Sequence, residues 1–281
     1  MAARGILACA GVLLLGCSAS AGSRVATANE DEARSALAAE GAAGTPAPSD
    51  DEGAADGGSF YEPDPRGSVS AVLRRDAPNM RYVRLGRDAC EAELRKRGIA
   101  FERVGLAPGV LAPVRLRGPL RGVTFRSELP PAERAKSALE IFDCRLVLAL
   151  DDFAALLAAR DVVEVVHLSA FRTKAQGGCT PKYAGKQHCA ALAVDLATFK
   201  KKDGSSLVVD RDFHGKIGLR TCTTTVRSQP RGRAAAELWG FVCDAADRAL
   251  FHVLLTPNFN AQHKNHFHVE LTPDAGWMLV K

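Results

Sequence analysis

Large apolar residues are almost absent from Ser18 to about Ser68, and from there to Lys281 they recur in short runs and helical spacings. The polar segment is Ala, Gly, Asp, Glu, Ser and Pro, which cannot bury enough surface to offset the entropy of ordering it. It reads as a disordered tether. The stretch after it, roughly 200 residues, is enough for one domain with its own core. Within that stretch the spacing predicts a helix at Asp88–Arg97 closed by Gly98, a strand near Ile99–Val104, and strand-like runs at Val114–Leu116 and Val123–Phe125. Cys144–Leu150 reads as another strand, and Phe153–Arg160 as a short helix opened by Asp151 and Asp152. Asp161–Leu168 is a β-branched strand, Leu192–Ala197 a further one and Arg233–Ala249 the longest helix. Strands near Phe251–Leu255 and His266–Leu271 finish the pattern. Short strands with interposed helices predict an α+β fold, an antiparallel sheet with flanking helices.

Ahead of the polar segment lies one Arg and an apolar run from Ile6 to Leu15. A membrane-spanning helix takes about 20 residues, so this run predicts an export signal rather than an anchor helix. Leu14-Leu15-Gly16-Cys17 resembles a bacterial lipobox, which implies a signal peptide over residues 1–16 and lipidation of Cys17. The alternative is an ordinary signal cut after Ala19-Ser20-Ala21. Both readings export the mature chain. The first predicts a lipoprotein of the bacterial cell envelope, held to the membrane through Cys17 and facing the periplasm, and the second a secreted protein.

Charge sharpens the boundary. The net +5 of the whole chain hides two segments of opposite sign: residues 18–68 hold ten acids and three bases, net −7, and residues 69–281 hold 33 bases and 22 acids, net +11. The organisation expected is a signal at 1–16, an acidic tether at 17–68 and a basic domain at 69–281. The basic domain suits an anionic polymer, but an exported chain with no recognisable nucleic-acid motif is not expected to bind nucleic acid. Export also favours disulfides for Cys90, Cys144, Cys179, Cys189, Cys222 and Cys243. Six cysteines can pair in 15 ways and the sequence does not choose among them. The pairing taken as the expectation is nearest-neighbour, 90–144, 179–189 and 222–243.

Candidate chemistry sits at predicted strand edges: Ser169-Ala-Phe171-Arg172, then His188 followed by Ala191-Leu-Ala193-Val-Asp195, then His266-Phe-His268-Val-Glu270. Alternate side chains of a strand share a face, so His266, His268 and Glu270 should point together, as should Ala191, Ala193 and Asp195. Two imidazoles and one carboxylate are a common ligand set for a catalytic zinc with an open fourth position.

An H-x6-D followed downstream by HxH resembles the zinc peptidases of bacterial cell walls, including D-alanyl-D-alanine carboxypeptidases and murein endopeptidase, whose fold is shared with the Hedgehog signalling domain. Closer still is the bacterial extensin-like C-terminal domain family. Its marks are Cys90-Glu-Ala-Glu-Leu94, Gly98-Ile-Ala-Phe101, Pro113-Val-Arg-Leu116, Asp143-Cys-Arg-Leu146, Ser169-Ala-Phe-Arg172, Ala193-Val-Asp195 and Asn258-Phe-Asn-Ala-Gln-His263 leading into Asn265-His-Phe-His268. The resemblance spans about residues 86–281. It implies His188, Asp195 and His268 as Zn²⁺ ligands, His266 as the second-sphere histidine of the HxH and Arg172 as the cation near the scissile carbonyl. A general base is still required, and His266 is the first choice because imidazole titrates near neutrality. It further implies amide hydrolysis by zinc-bound water on peptidoglycan peptides, or a non-catalytic zinc-containing wall-binding module. The sequence departs from many carboxypeptidases of this type at Asn265, where they carry Glu, at Lys186, where they carry Ser, and at Ala191, where they carry Gly.

Overall fold

Fourteen principal elements follow one another among the described residues. They are β1 (Val69–Ser70), α1 (Arg87–Lys96), β2 (Phe101–Arg103), β3 (Pro113–Leu116), β4 (Thr124–Ser127), β5 (Phe142–Asp143), α2 (Cys144–Ala158), β6 (Val162–His167), β7 (Ala193–Lys201), β8 (Ser206–Val208), α3 (Gly232–Asp247), β9 (Val253–Leu255), β10 (Phe267–Glu270) and β11 (Met278–Val280). This computed structural model describes residues 69–70, 75–173, 179, 186–222 and 230–281. The chain divides into two units, Met1–Ser59 and Phe60–Lys281, and every described residue belongs to the second. The expected signal peptide, the lipidation of Cys17 and the acidic tether lie outside the described residues. No helix among the described residues is long and apolar enough to cross a membrane.

The main sheet has eight strands in the order β1-β11-β9-β10-β7-β6-β4, with β8 beside β7, and β2-β3-β5 form a small second sheet. Pairing is antiparallel except for β4 with β6 and β9 with β11, so the α+β expectation holds with two parallel pairs added. Val194, Leu196, Phe267 and Val269 on the paired strands β7 and β10 are buried in one core with residues of α2 and α3. Aromatic contacts fill the layer: Phe199 lies against Phe241 of α3 and Phe267 of β10, and Phe213 stacks on Trp239. Against β6, the partner of Val166 is Thr198 and that of His167 is Leu196, so Ala197 is an extra residue in β7. Such a bulge shifts the alternation. It lets Asp195 face the site while Phe199, four residues on, faces the core.

One predicted element changes type. Cys144–Leu150 is not a strand: it is the first half of the 15-residue α2, which also absorbs the helix expected from Phe153. A helix buried on all sides is apolar all round, so its sequence does not differ from a buried strand by periodicity. Leu146 through Leu150 are fully buried, and α2 packs against α1, α3 and β6. The helix opens at Asp143, whose carboxylate accepts from the Arg145 backbone N–H at 3.0 Å. Asp151 and Asp152 are therefore mid-helix residues. They anchor Arg97 at 3.0 and 2.9 Å, and Asp151 also holds Arg121.

All three disulfides join nearest neighbours: Cys90–Cys144 ties α1 to the start of α2, Cys179–Cys189 closes a short loop, and Cys222–Cys243 fastens a loop to α3.

Candidate metal centre

The register of β10 against β7 places His268 directly opposite Asp195, and Glu270 opposite Ala193. Residues opposite one another on paired strands share a face, so the carboxylate and the imidazole meet over the small side chain of Ala193. Ala191 does not belong to that strand face as expected. It ends a 3-10 turn, Gln187–Ala190, with φ +53°, and Gln187 at the start has φ +50°. Left-handed φ costs a non-glycine residue roughly 1–2 kcal/mol. This explains why glycine suits the position three residues after His188, and the Cys179–Cys189 disulfide ties down the same turn. The turn delivers His188 from outside the sheet.

His188 Nε2, Asp195 Oδ1 and His268 Nδ1 form one cluster: the nitrogens are 3.2 Å apart, and Oδ1 lies 3.2 and 3.1 Å from them. The outer nitrogen of each ring is already engaged. His188 Nδ1 donates to the Ala170 carbonyl at 2.8 Å, and His268 Nε2 donates to Glu270 at 3.0 Å. Both rings thus turn a lone pair inward, toward a carboxylate oxygen, all three groups being buried. Three acceptors this close require a cation among them. A proton on His268 is one solution: burial alone would lower its pKa, but Asp195 and Glu270 on either side raise it to about 9. A divalent metal taking two nitrogens and one oxygen is the other, and the donor set suits zinc. For Asp195, burial opposes ionisation; with a proton in the cluster, so that ring N–H groups rather than lone pairs face Oδ1, His188 and His268 outweigh it and the pKa falls well below the usual range.

Of the other residues singled out from sequence, His266 is beside the cluster, with Nε2 3.3 Å from Asp195 Oδ1 and Nδ1 donating to Asn265 Oδ1 at 2.9 Å. Burial lowers its pKa, with Asp195 opposing. Arg172 is about 40% exposed and spends Nη2 on Asp195 Oδ2 at 2.5 Å and on Ser169 Oγ at 2.9 Å. It is a holder of the Asp195 carboxylate first, and only its remaining edge faces outward. Glu270 orients His268 and is itself held by the Thr272 hydroxyl at 2.9 Å. His263 both belongs to a turn, capped by Asn260, and brings its ring to 5.2 Å from that of His266.

A family model described as Extensin-like protein C-terminus matches residues 88–280. The chain belongs to that family. No curated protein and no solved structure matched the chain. Within this extensin-like domain, two residues near the centre were given no role from sequence alone. Ser169 donates to Asp195 Oδ2 at 2.6 Å, completing the set of groups that hold that carboxylate. It lies within the Ser169–Arg172 motif, which was the available signal.

The other is His167, which ends β6 fully buried, edge-on to Phe142 and with neither ring nitrogen hydrogen-bonded among the described residues. Nothing in a run of β-branched residues distinguishes it. Burial pushes its pKa down to about 3, with Asp195 opposing and Arg126 and Arg134 reinforcing. The unfolded chain takes up this proton near 6.5 and the folded chain refuses it until about 3, so the contribution to stability is complete above 6.5 and is lost as pH falls through that window. The slope approaches about 1.4 kcal/mol per pH unit. His167→Leu should flatten this acid limb, read as urea midpoints at pH 7, 5.5 and 4.5. Parallel limbs in the two proteins would place the acid sensitivity elsewhere.

Proposed function

We propose that this extensin-like domain is an exported, lipid-anchored zinc metallopeptidase that hydrolyses an amide in peptidoglycan peptides. The observation that carries the reading is the buried His188–Asp195–His268 cluster, with both imidazoles fixed so that their lone pairs face one carboxylate oxygen. His188, Asp195 and His268 would hold the ion. When bound, zinc supplies a Lewis acid that polarises a carbonyl and lowers the pKa of water. His266 is the proton acceptor: Asn265 fixes its Nδ1–H, so Nε2 presents a lone pair to the site, and the lowered pKa keeps the ring neutral at pH 7. Arg172 steadies Asp195 and offers its outward edge to a substrate carboxylate or a developing oxyanion.

A second reading is a zinc-containing wall-binding module without turnover. Asn265 favours it, because an amide cannot take up a proton at the position where related carboxypeptidases carry Glu. The test is zinc stoichiometry followed by incubation of wild type and His266→Ala with purified sacculi, released muropeptides being followed by mass spectrometry. Turnover should fall about 100-fold or more in His266→Ala while zinc is retained. Full zinc with no release by wild type would leave only the binding module.

A further inference from the structure

A cleft of about 440 Å³, lined by none of the His–Asp cluster residues, opens between β3, the edge strand β4 and the short helical turn Pro131–Arg134. Four arginines line it, Arg115, Arg117, Arg126 and Arg134, against two glutamates, Glu140 and Glu164.

The pairing of these charges is uneven. Arg126 holds Glu164 at 2.7 Å, and Lys200 shares the same carboxylate at 2.9 Å, so that acid is already matched by two cations. Arg117 pairs with Glu102. Glu140 is turned to β4, where its Oε1 accepts from the Ser127 backbone at 2.7 Å and hydroxyl at 2.6 Å. Arg115 and Arg134 are left with no carboxylate within ion-pair distance among the described residues.

Arg115 is also positioned. Its Nη1 donates to the Ser137 carbonyl at 2.6 Å and more weakly to that of Arg134 at 3.4 Å, which fixes the guanidinium while Nε and Nη2 make no hydrogen bond among the described residues. Burial lowers its pKa, and Glu140 opposes this only in part. A half-buried cation held by carbonyls and facing a cleft is an arrangement that lowers in energy when an anion arrives. The guanidinium fork matches the oxygens of carboxylate or phosphate. Two guanidinium forks without an ion-pair partner can together grip the three outer oxygens of a phosphomonoester, where a carboxylate offers two, and Glu140 offsets only part of their charge.

We propose that the Arg115–Arg134 cleft is a second ligand site that binds a phosphate group. It does not rest on the zinc reading.

The test is isothermal titration calorimetry of the full chain after chelator treatment, at 0.15 M salt, with inorganic phosphate and with N-acetylglucosamine 6-phosphate as probes. Wild type should bind at least one probe, and Arg134→Gln and Arg115→Gln should each weaken it tenfold or more. Arg134 makes no side-chain hydrogen bond or ion pair among the described residues, so its variant should melt like wild type and keep the comparison clean. Arg211→Gln, which removes an exposed partner of Asp212 elsewhere, should bind as wild type does. Equal affinity for the two probes would make the free anion the ligand, and tighter sugar phosphate would add a sugar subsite. No binding of either probe, or binding unchanged in Arg134→Gln, would overturn the proposal.

Discussion

Asp195→Ala should strip the protein of zinc and, with it, of any hydrolytic activity. Its carboxylate is the point where the site closes: His188, His266 and His268 approach one oxygen at 3.1 to 3.3 Å, and Arg172 and Ser169 hold the other. Changing an outer partner of a metal ligand typically costs 10–100-fold in affinity. Losing the ligand itself should cost more, on the order of 1,000-fold, read by competition with a chromophoric chelator. The same measurement against pH carries a sign. In the metal-free site a proton competes for His268 Nδ1 up to about 9, so zinc affinity should rise with pH through the neutral range and level off near that value. Stoichiometric zinc retained by Asp195→Ala would place the metal elsewhere and remove the basis for the peptidase reading.

Asp143→Ala is the largest effect expected on stability, about 3–5 kcal/mol. The carboxylate is fully buried and accepts four bonds: from the Arg145 backbone at 3.0 Å, from its Nε and Nη2 at 2.7 and 3.1 Å, and from the Ala112 backbone at 3.2 Å. It therefore caps α2, neutralises a buried guanidinium and joins α2 to the loop before β3. Truncation would leave Arg145 buried and charged with little beyond the Val83 carbonyl at 3.4 Å. The urea midpoint should fall sharply with the slope unchanged, and Asp143→Asn should lie between. A loss under about 1 kcal/mol would mean that Arg145 finds water in the variant. The adjoining Cys90–Cys144 bridge gives Asp143-Cys144-Arg145-Leu146 a structural role in joining α1 to α2.

The candidate site was readable in pieces. His266, His268 and Glu270 were placed on one face by alternation alone, and Asp195 and Ala193 likewise, because a strand repeats every two residues wherever it occurs. Ala191 was misplaced for the same reason: alternation assumes the strand continues, and a left-handed turn ends it. Arg172 had the correct charge for a substrate contact, but nothing in its local sequence shows that its Nη2 is committed to Asp195. Cys144–Leu150 failed where a local pattern must fail, since strand and helix look alike when every neighbour is apolar.

By itself, then, the sequence determined the α+β class, the family, the identities of the inward-facing groups and the sign of each segment's charge. These are properties of short stretches and of totals. Tertiary structure alone decided that His268 stands opposite Asp195, that His188 arrives from a strained turn, that each imidazole turns its second ring nitrogen inward, and that Arg115 and Arg134 share a cleft with no carboxylate within ion-pair distance. Each depends on which segments pair and in what register, across up to 80 residues of chain in the case of His188 and His268. That is settled by burial and hydrogen bonding of the whole domain, which no local spacing encodes.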